Sequence, residues 1–112
     1  MRVALKTNPE RLMIAFGIYW AECNGKFQRL HFVDEDYPDS WGLTVCSEDE
    51  TVVVDPSMDH YMMIKDDRGM DMFVHQAAHT SSEFFSSLLD GGGYDAMNQL
   101  YENMRQMKLV LP

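Results

Sequence analysis

Residues 60–93 read HYMMIKDDRGMDMFVHQAAHTSSEFFSSLLDGGG, and two secondary structures compete for them. In the first, Asp66-Asp67-Arg68-Gly69 is a hairpin turn, a strand follows the turn, and a helix begins only after that strand. In the second, a helix begins near Asp71 and carries His75 and His79 one turn apart. The alternatives lead to different functions, because only the second brings the two imidazoles together as a metal-binding pair.

Local signals favour the hairpin. Gly69 suits the positive-φ position of a short loop, and strands tolerate the residues that follow it. Thr80-Ser81-Ser82-Glu83 has the form of a capping box, with a hydroxyl residue three positions before a glutamate. The next apolar residues lie on one helical face: Phe84, Phe85, Leu88 and Leu89. Gly91-Gly92-Gly93 would end that helix, so we predict a strand over about 70–75 and a helix over about 81–90.

The N-terminal part of the chain predicts another helix, packed on more than one side. Asn8-Pro9-Glu10 has the form of a helix start, because asparagine caps, proline suits the first helical position and glutamate complements the dipole. Apolar residues then recur at helical spacing: Leu12, Phe16, Tyr19, Trp20 and Cys23. Asn24-Gly25 supplies the end of the helix, with the glycine in the left-handed cap position.

Composition predicts strands between this helix and residue 65. Aromatic and β-branched residues, bounded by acidic or proline-containing loops, favour four of them: Lys26–Val33, Trp41–Ser47, Thr51–Asp55 and His60–Lys65. A last helix is predicted over about Tyr94–Met107, where apolar residues follow helical spacing. The predicted fold class is α+β in a single domain, residues 1–112. It has an N-terminal helix, an antiparallel meander of four to five strands, and two C-terminal helices packed on one face.

The net charge of −9 is unevenly distributed along the chain. Residues 32–72 contain twelve of the eighteen acidic side chains and two of the nine basic ones. Such a protein is not expected to bind a nucleic-acid backbone by counterion release, but it suits a basic protein surface. No apolar run reaches the roughly 18–20 residues that span a membrane. Cys23 and Cys46 are too few for a disulfide framework and predict reduced thiols in a cytoplasmic protein.

The acidic residues fall in the predicted loops, with two aromatic residues among them. Successive loops of a meander alternate between the ends of the sheet, roughly 17–20 Å apart. Acids placed in this way would imitate parts of a phosphate backbone, as in small acidic inhibitors from phages and other mobile elements. The predicted partner-binding residues are Asp34, Glu35, Asp36, Tyr37, Asp39, Trp41, Glu48, Asp49, Glu50, Asp66 and Asp67.

His75-Gln76-Ala77-Ala78-His79 resembles the HExxH motif of zincin metallopeptidases. The resemblance implies a helix on which His75 and His79 bind zinc. It covers five residues and departs at Gln76, where the family has the glutamate that activates the zinc-bound water. An amide does not accept a proton at neutral pH, so the resemblance implies metal binding without peptidase activity.

We therefore expect a non-enzymatic interaction protein without a cofactor, an inhibitor that presents DNA-like negative charge to a basic, nucleic-acid-handling partner. The chain has no P-loop and no recognisable nucleophile motif. Two alternatives stay open. One is a zincin-like domain that binds zinc, and the other is an assembly subunit that packs a methionine-rich face against another chain. The methionines of that face are Met62, Met63, Met70, Met72, Met97, Met104 and Met107.

Overall fold

Seven strands and two helices make up the described part of the chain. The computed structural model describes residues 1–37, 39–66 and 68–109. The strands are β1 (Arg2–Leu5), β2 (Asn8–Cys23), β3 (Lys26–Val33), β4 (Thr44–Ser47), β5 (Thr51–Asp55), β6 (Tyr61–Lys65) and β7 (Asp71–His75). The helices are α1 (Ser82–Leu89) and α2 (Gly93–Gln106). Neither described helix is long and apolar enough to cross a membrane.

The long strand β2 belongs to two sheets, and all of their pairings are antiparallel. The small sheet has the order β5-β1-β2, and the large sheet has the order β4-β3-β2-β7-β6. β1 pairs with the first half of β2, whereas β7 pairs with residues 17–18 in its second half. Ala15 lies where the partner changes. Its N–H donates to the carbonyl of Met1 (3.1 Å), and its carbonyl accepts from the Tyr61 hydroxyl.

The predicted N-terminal helix is wrong, because residues 8–23 form β2. Met13–Ile18 is buried without interruption, since structure covers both faces of the strand there. Burial on both faces removes the alternation that marks a half-exposed strand. The strand also requires Gly17, because a Cβ at this position would lie 2.8 Å from Cδ2 of Phe32.

Asn24-Gly25 forms a hairpin turn and not the predicted helix end. The residues have φ angles of 54° and 76°, the pair of positive angles that an Asn-Gly type I′ turn requires. This turn joins β2 to β3, which run antiparallel from Cys23 opposite Lys26 back to Ala15 opposite Val33.

The predicted meander of four to five strands is also wrong. The described part of the chain has seven strands, and the additional ones include β1, which had no sequence signal. β4 and β5 do not form the predicted hairpin, because β4 pairs with β3 and β5 pairs with β1. Glu48-Asp49-Glu50 therefore carries the chain from the large sheet to the small one. β4 begins at Thr44 and not at Trp41, since Leu43 just before it is held by a hydrogen bond to the carbonyl of Leu88 (3.0 Å).

The prediction for residues 60–93 is confirmed in its main points. β6 and β7 form the hairpin, with Tyr61 opposite His75 and Lys65 opposite Asp71. Both C-terminal helices begin and end within about one residue of their predicted bounds. The cap differs by one position, because the hydroxyl of Ser81 accepts from the N–H of Phe84 (3.1 Å).

The helices cover one face of the large sheet and form the main core with it. The buried side chains of this core include Phe16, Met72, Val74, Phe85, Leu88, Met97, Leu100 and Met104. A smaller cluster lies where the small sheet meets β3 and β4, and consists of Val3, Met13, Val33 and Cys46. The two cores meet at β2, which contributes residues to both.

Candidate functional site

The loop between β3 and β4 is held against α2. Asp34, at its start, is buried and accepts hydrogen bonds from the hydroxyls of Ser40 and Tyr101, the latter at 2.7 Å. Burial, followed by the hydrogen bond to Asp34, raises the pKa of Tyr101. Near the other end of the loop, the carbonyl of Trp41 accepts from the N–H of Gly93 (2.9 Å). The loop is therefore fixed at both ends to the helical layer.

Three exposed aromatic side chains line this loop and helix. Trp41 is 62% exposed and meets the ring of Tyr94, itself 50% exposed, at a centroid distance of 5.2 Å. Tyr37 is 37% exposed and packs edge-on against Tyr101 at 5.1 Å. Tyr94 and Tyr101 are seven residues apart, so they lie on one face of α2 about 10 Å from each other. The loop thus lies along α2, with an aromatic contact near each end.

Three exposed carboxylates accompany these aromatic residues. Glu35, Asp36 and Asp39 are all exposed, and no ion pair within residues 1–37, 39–66 and 68–109 involves them. Glu35 accepts a long hydrogen bond from the hydroxyl of Thr44 (3.3 Å). We call the set Glu35, Asp36, Tyr37, Asp39, Trp41 and Tyr94 the loop–helix surface. It combines unneutralised negative charge with large rigid side chains.

The acids of the β4–β5 turn were also predicted to bind a partner, but in the structure they form hydrogen bonds or an ion pair within the chain. Glu48 accepts from a backbone N–H of β3 (2.8 Å), and Asp49 forms an ion pair with Lys26 (3.1 Å). Glu50 accepts from both the N–H and the hydroxyl of Ser47, at 3.1 and 3.0 Å. Each carboxylate in this turn therefore has a partner within the chain.

Asp66 likewise closes the β6–β7 hairpin. Its carboxylate accepts from the N–H of Arg68 and the N–H of Met70 (both 2.9 Å), and it forms an ion pair with the Arg68 guanidinium (2.7 Å). The side-chain hydrogen bond from Arg68 is the main reason that the pKa of Asp66 is lowered. Asp67 lies outside the described residues. Among the described acids predicted to bind a partner, the exposed ones with neither an ion pair nor a hydrogen bond from a backbone N–H are Glu35, Asp36 and Asp39.

The HQAAH segment is not helical. His75 is the last residue of β7, and residues 76–78 form a turn. The ring of His79 packs against Phe85, at a centroid distance of 5.6 Å. The resemblance to zincins therefore does not extend to the structure, because their two histidines face one metal from adjacent turns of a helix. Within the described ranges, no group of three or more His, Cys, Asp or Glu side chains is placed to hold a metal ion.

The hydrogen bonding of His75 also argues against a metal ligand. Its Nδ1 accepts from the N–H of Ala77 (3.0 Å), so Nε2 carries the proton of the neutral ring. A metal-binding histidine instead uses an unprotonated nitrogen and donates from the other one. Burial, with a smaller effect from His60, lowers the pKa of His75 to about 4. His75 is therefore a neutral side chain whose Nε2 is a donor.

Sequence reasoning missed the cavity that His75 lines. This cavity has a volume of ≈ 190 Å³, and its other lining residues include His60, Tyr61, Asp55, Ser57 and Met104. His60 has a φ of 69° and places its ring 6.1 Å from that of His75. The register of the predicted hairpin could have indicated this cavity. Tyr61 lies opposite His75, so the preceding residue, His60, is brought close to the His75 ring. The cavity lining combines hydrogen-bond donors and acceptors with apolar side chains.

Searches of protein-family models, curated sequences and solved structures found no significant match to this chain.

Proposed function

We propose that this protein is a non-enzymatic interaction protein whose loop–helix surface binds a basic surface of another protein. The partner would be one that handles nucleic acid, and the bound carboxylates would occupy the place of phosphates. Bound there, the protein acts as an inhibitor of the kind that phages and other mobile elements encode. We place it in the cytoplasm, since Cys23 and Cys46 are both free thiols.

The observation that carries the proposal is the exposure of Trp41 beside unpaired carboxylates. Tryptophan and tyrosine are enriched among the residues that dominate binding energy at protein interfaces. Trp41 and Tyr94 already contact each other, so less side-chain freedom is lost when a partner covers them. An anchor of this kind explains exposed aromatic rings that solubility alone does not require.

The charge of the surface selects the class of partner. Glu35, Asp36 and Asp39 project from a chain of net charge −9, and no described ion pair neutralises them. Complementary charge raises association rates and suppresses wrong partners more than it adds affinity. A basic groove that normally holds a phosphate backbone fits the sign of this charge. Binding should accordingly weaken as salt is raised.

The test begins with affinity capture from the native host, followed by binding measurements with the purified partner. We expect a basic protein to be captured and its affinity to fall with salt. Trp41→Ala should weaken binding roughly 10- to 100-fold, the range of an interface anchor. Reversing Glu35, Asp36 and Asp39 to lysine together should abolish measurable binding.

A second triple reversal controls for charge alone. Glu10→Lys, Glu22→Lys and Asp90→Lys change the net charge equally but lie outside the loop–helix surface, and all three side chains are exposed. This variant should keep most of the affinity. Circular dichroism establishes that every variant is folded. Binding that ignores salt, or that survives reversal of the three loop acids, would refute the proposal.

A further inference from the structure

β6 forms an open edge of the large sheet. Tyr61–Lys65 pairs residue for residue with β7 and has no bulge. No strand among the described residues pairs with its other side. An edge strand presents a row of unpaired N–H and C=O groups to other chains, and proteins protect it with bulges, prolines or charges. The single charge in β6 is Lys65, which already forms an ion pair with Asp71.

The edge strands β4 and β5 are shorter or irregular. β4 has four residues. β5 has a register shift against β1, and Pro56 follows its last residue. A bulge bends and twists an edge away from a new partner, and proline cannot donate to one. β6 is therefore the edge that is best suited to extension.

Hydrogen bonds at the two ends of the hairpin identify the groups that face the open side. The carbonyl of His60 and the N–H of Asp66 bond toward the β7 side, at 2.8 and 2.9 Å. The direction of the N–H and C=O groups alternates along a strand, so those of Met62 and Ile64 also point toward β7. The N–H and C=O groups of Met63 and Lys65, and the carbonyl of Tyr61, consequently face the open edge.

Exposed methionines surround this edge. The predicted methionine-rich face divides in the structure, because Met72, Met97 and Met104 are buried in the main core. Its exposed members, Met62, Met63 and Met70, lie on β6 and in the loop after it, and Met58, which was not part of the predicted face, is exposed in the loop before β6. Met63, in the middle of the strand, is 59% exposed. Flexible, polarisable methionine side chains adapt well to an apposed surface.

We propose that β6 pairs with β6 of a second copy of the chain, antiparallel and centred on Met63. In this register Met63 lies opposite its counterpart and Tyr61 lies opposite Lys65 of the second copy. Met63 exchanges two hydrogen bonds across the twofold axis, and each Lys65 N–H donates to a Tyr61 carbonyl. The large sheet then continues from one copy into the other.

A second copy is the occupant that the chemistry favours. The strand is complementary to itself, because within Tyr61–Lys65 the symmetric register brings no two like charges opposite each other. Two chains of net charge −9 repel each other over most of their surfaces. β6 itself contains no acidic residue, so the copies can approach along it. This interface is separate from the loop–helix surface and does not depend on the function proposed for it.

Analytical ultracentrifugation tests the proposal. A five-residue strand contact is smaller than the roughly 800 Å² per partner of a standard interface, so we expect a weak dimer, with a Kd on the order of 10–100 µM. Met63→Lys places two lysines opposite each other and should raise Kd at least about tenfold. Val45→Lys is the matched control, since Val45 is 48% exposed on the edge strand β4 and the charge change is equal.

Disulfide trapping tests the register. Residues in a hydrogen-bonded antiparallel pair have Cα atoms about 5.5 Å apart, within the range that a disulfide spans. Met63→Cys in a Cys23→Ser background should therefore form a covalent dimer on mild oxidation, and Val45→Cys in the same background should not. A chain that stays monomeric to about 500 µM, well above the expected Kd, would overturn the proposal. A dimer that Met63→Lys leaves intact would also overturn the proposal. A dimer that is disrupted by Val53→Lys in β5, and not by Met63→Lys, would do the same.

Discussion

Two histidines are buried in the neutral form. His31 is fully buried, and its Nε2 accepts from Nε of Arg29 (2.9 Å), while its Nδ1 has no hydrogen-bond partner. Burial, followed by the charge of Arg29, lowers the pKa of His31 to about 4. His75 has its pKa lowered to the same range, again mainly by burial. In both cases the fold excludes a proton that the unfolded chain would bind at mildly acidic pH.

Stability should therefore fall as the pH falls from about 6.5 toward 4. A group whose pKa is lower in the folded state stabilises the fold fully above its unfolded pKa and loses that contribution as the pH approaches its folded pKa. The loss should be on the order of 2 kcal/mol for each histidine. Urea denaturation across this range measures it, and between pH 6.5 and 5 most carboxylates stay ionised.

His75→Gln isolates one of the two histidines. The amide oxygen can accept from the N–H of Ala77 in place of Nδ1 and does not titrate, so the pH dependence should fall by about half. His79→Gln is the control, because His79 is only partly buried and lies outside the cavity. An unchanged slope in the His75 variant would contradict the assignment.

At the scale of the elements, the start of α1 distinguishes a sequence motif from its structural use. Thr80 and Glu83 match the capping-box pattern, but the hydroxyl that caps α1 is that of Ser81. Ser81→Ala should lower the free energy of unfolding by about 1 kcal/mol. Thr80→Ala removes the same chemical group one residue earlier and should change it by less than about 0.5 kcal/mol. Urea denaturation compares the two, and equal effects would mean that the cap is shared.

Elements with local signals could be predicted, and β2 could not. A turn, a cap or a run of glycines fixes the ends of β3, β6, β7, α1 and α2 within a few residues. β2 has an extra residue relative to β3 between Ala15 and Gly17. Before the extra residue, even-numbered side chains (Ile14 and Phe16) face the main core. After it, an odd-numbered side chain (Tyr19) packs against the same core. Joining an even-numbered series to an odd-numbered one gives a step of three, from Phe16 to Tyr19. Together with the step of four from Leu12 to Phe16, it imitates the spacing of a helix.

For the molecule as a whole, the sharing of β2 implies one cooperative unit. Val3 belongs to the smaller cluster and has no exposed surface. Val3→Ala should lower the free energy of unfolding by about 2 kcal/mol, the loss expected when a buried side chain is truncated. It should also move the far-UV circular dichroism and tryptophan fluorescence midpoints equally, because the small sheet cannot separate without releasing β2. Midpoints that diverge would show instead that the small sheet unfolds independently.

The sequence indicates which residues form the loop–helix surface, but it does not indicate the contacts that hold this surface in place. Glu35, Asp36 and Trp41 stand out in the sequence as acids and an aromatic residue within one loop. The burial of Asp34 depends on Tyr101, sixty-seven residues later in the chain, and no local pattern indicates that contact. The acids of the β4–β5 turn were predicted from a meander that does not form. Contacts between distant segments decide which charges remain exposed.

The extra residue in β2 also determines how this chain tolerates changes in length. Phe16 and Gly17 are consecutive positions on the same side of the strand, so removing either one would restore strict alternation while every remaining side chain kept its side. A deletion elsewhere in β2 would exchange inward and outward residues over the rest of the strand. Within β2, a single-residue deletion should therefore be tolerated best at that one place.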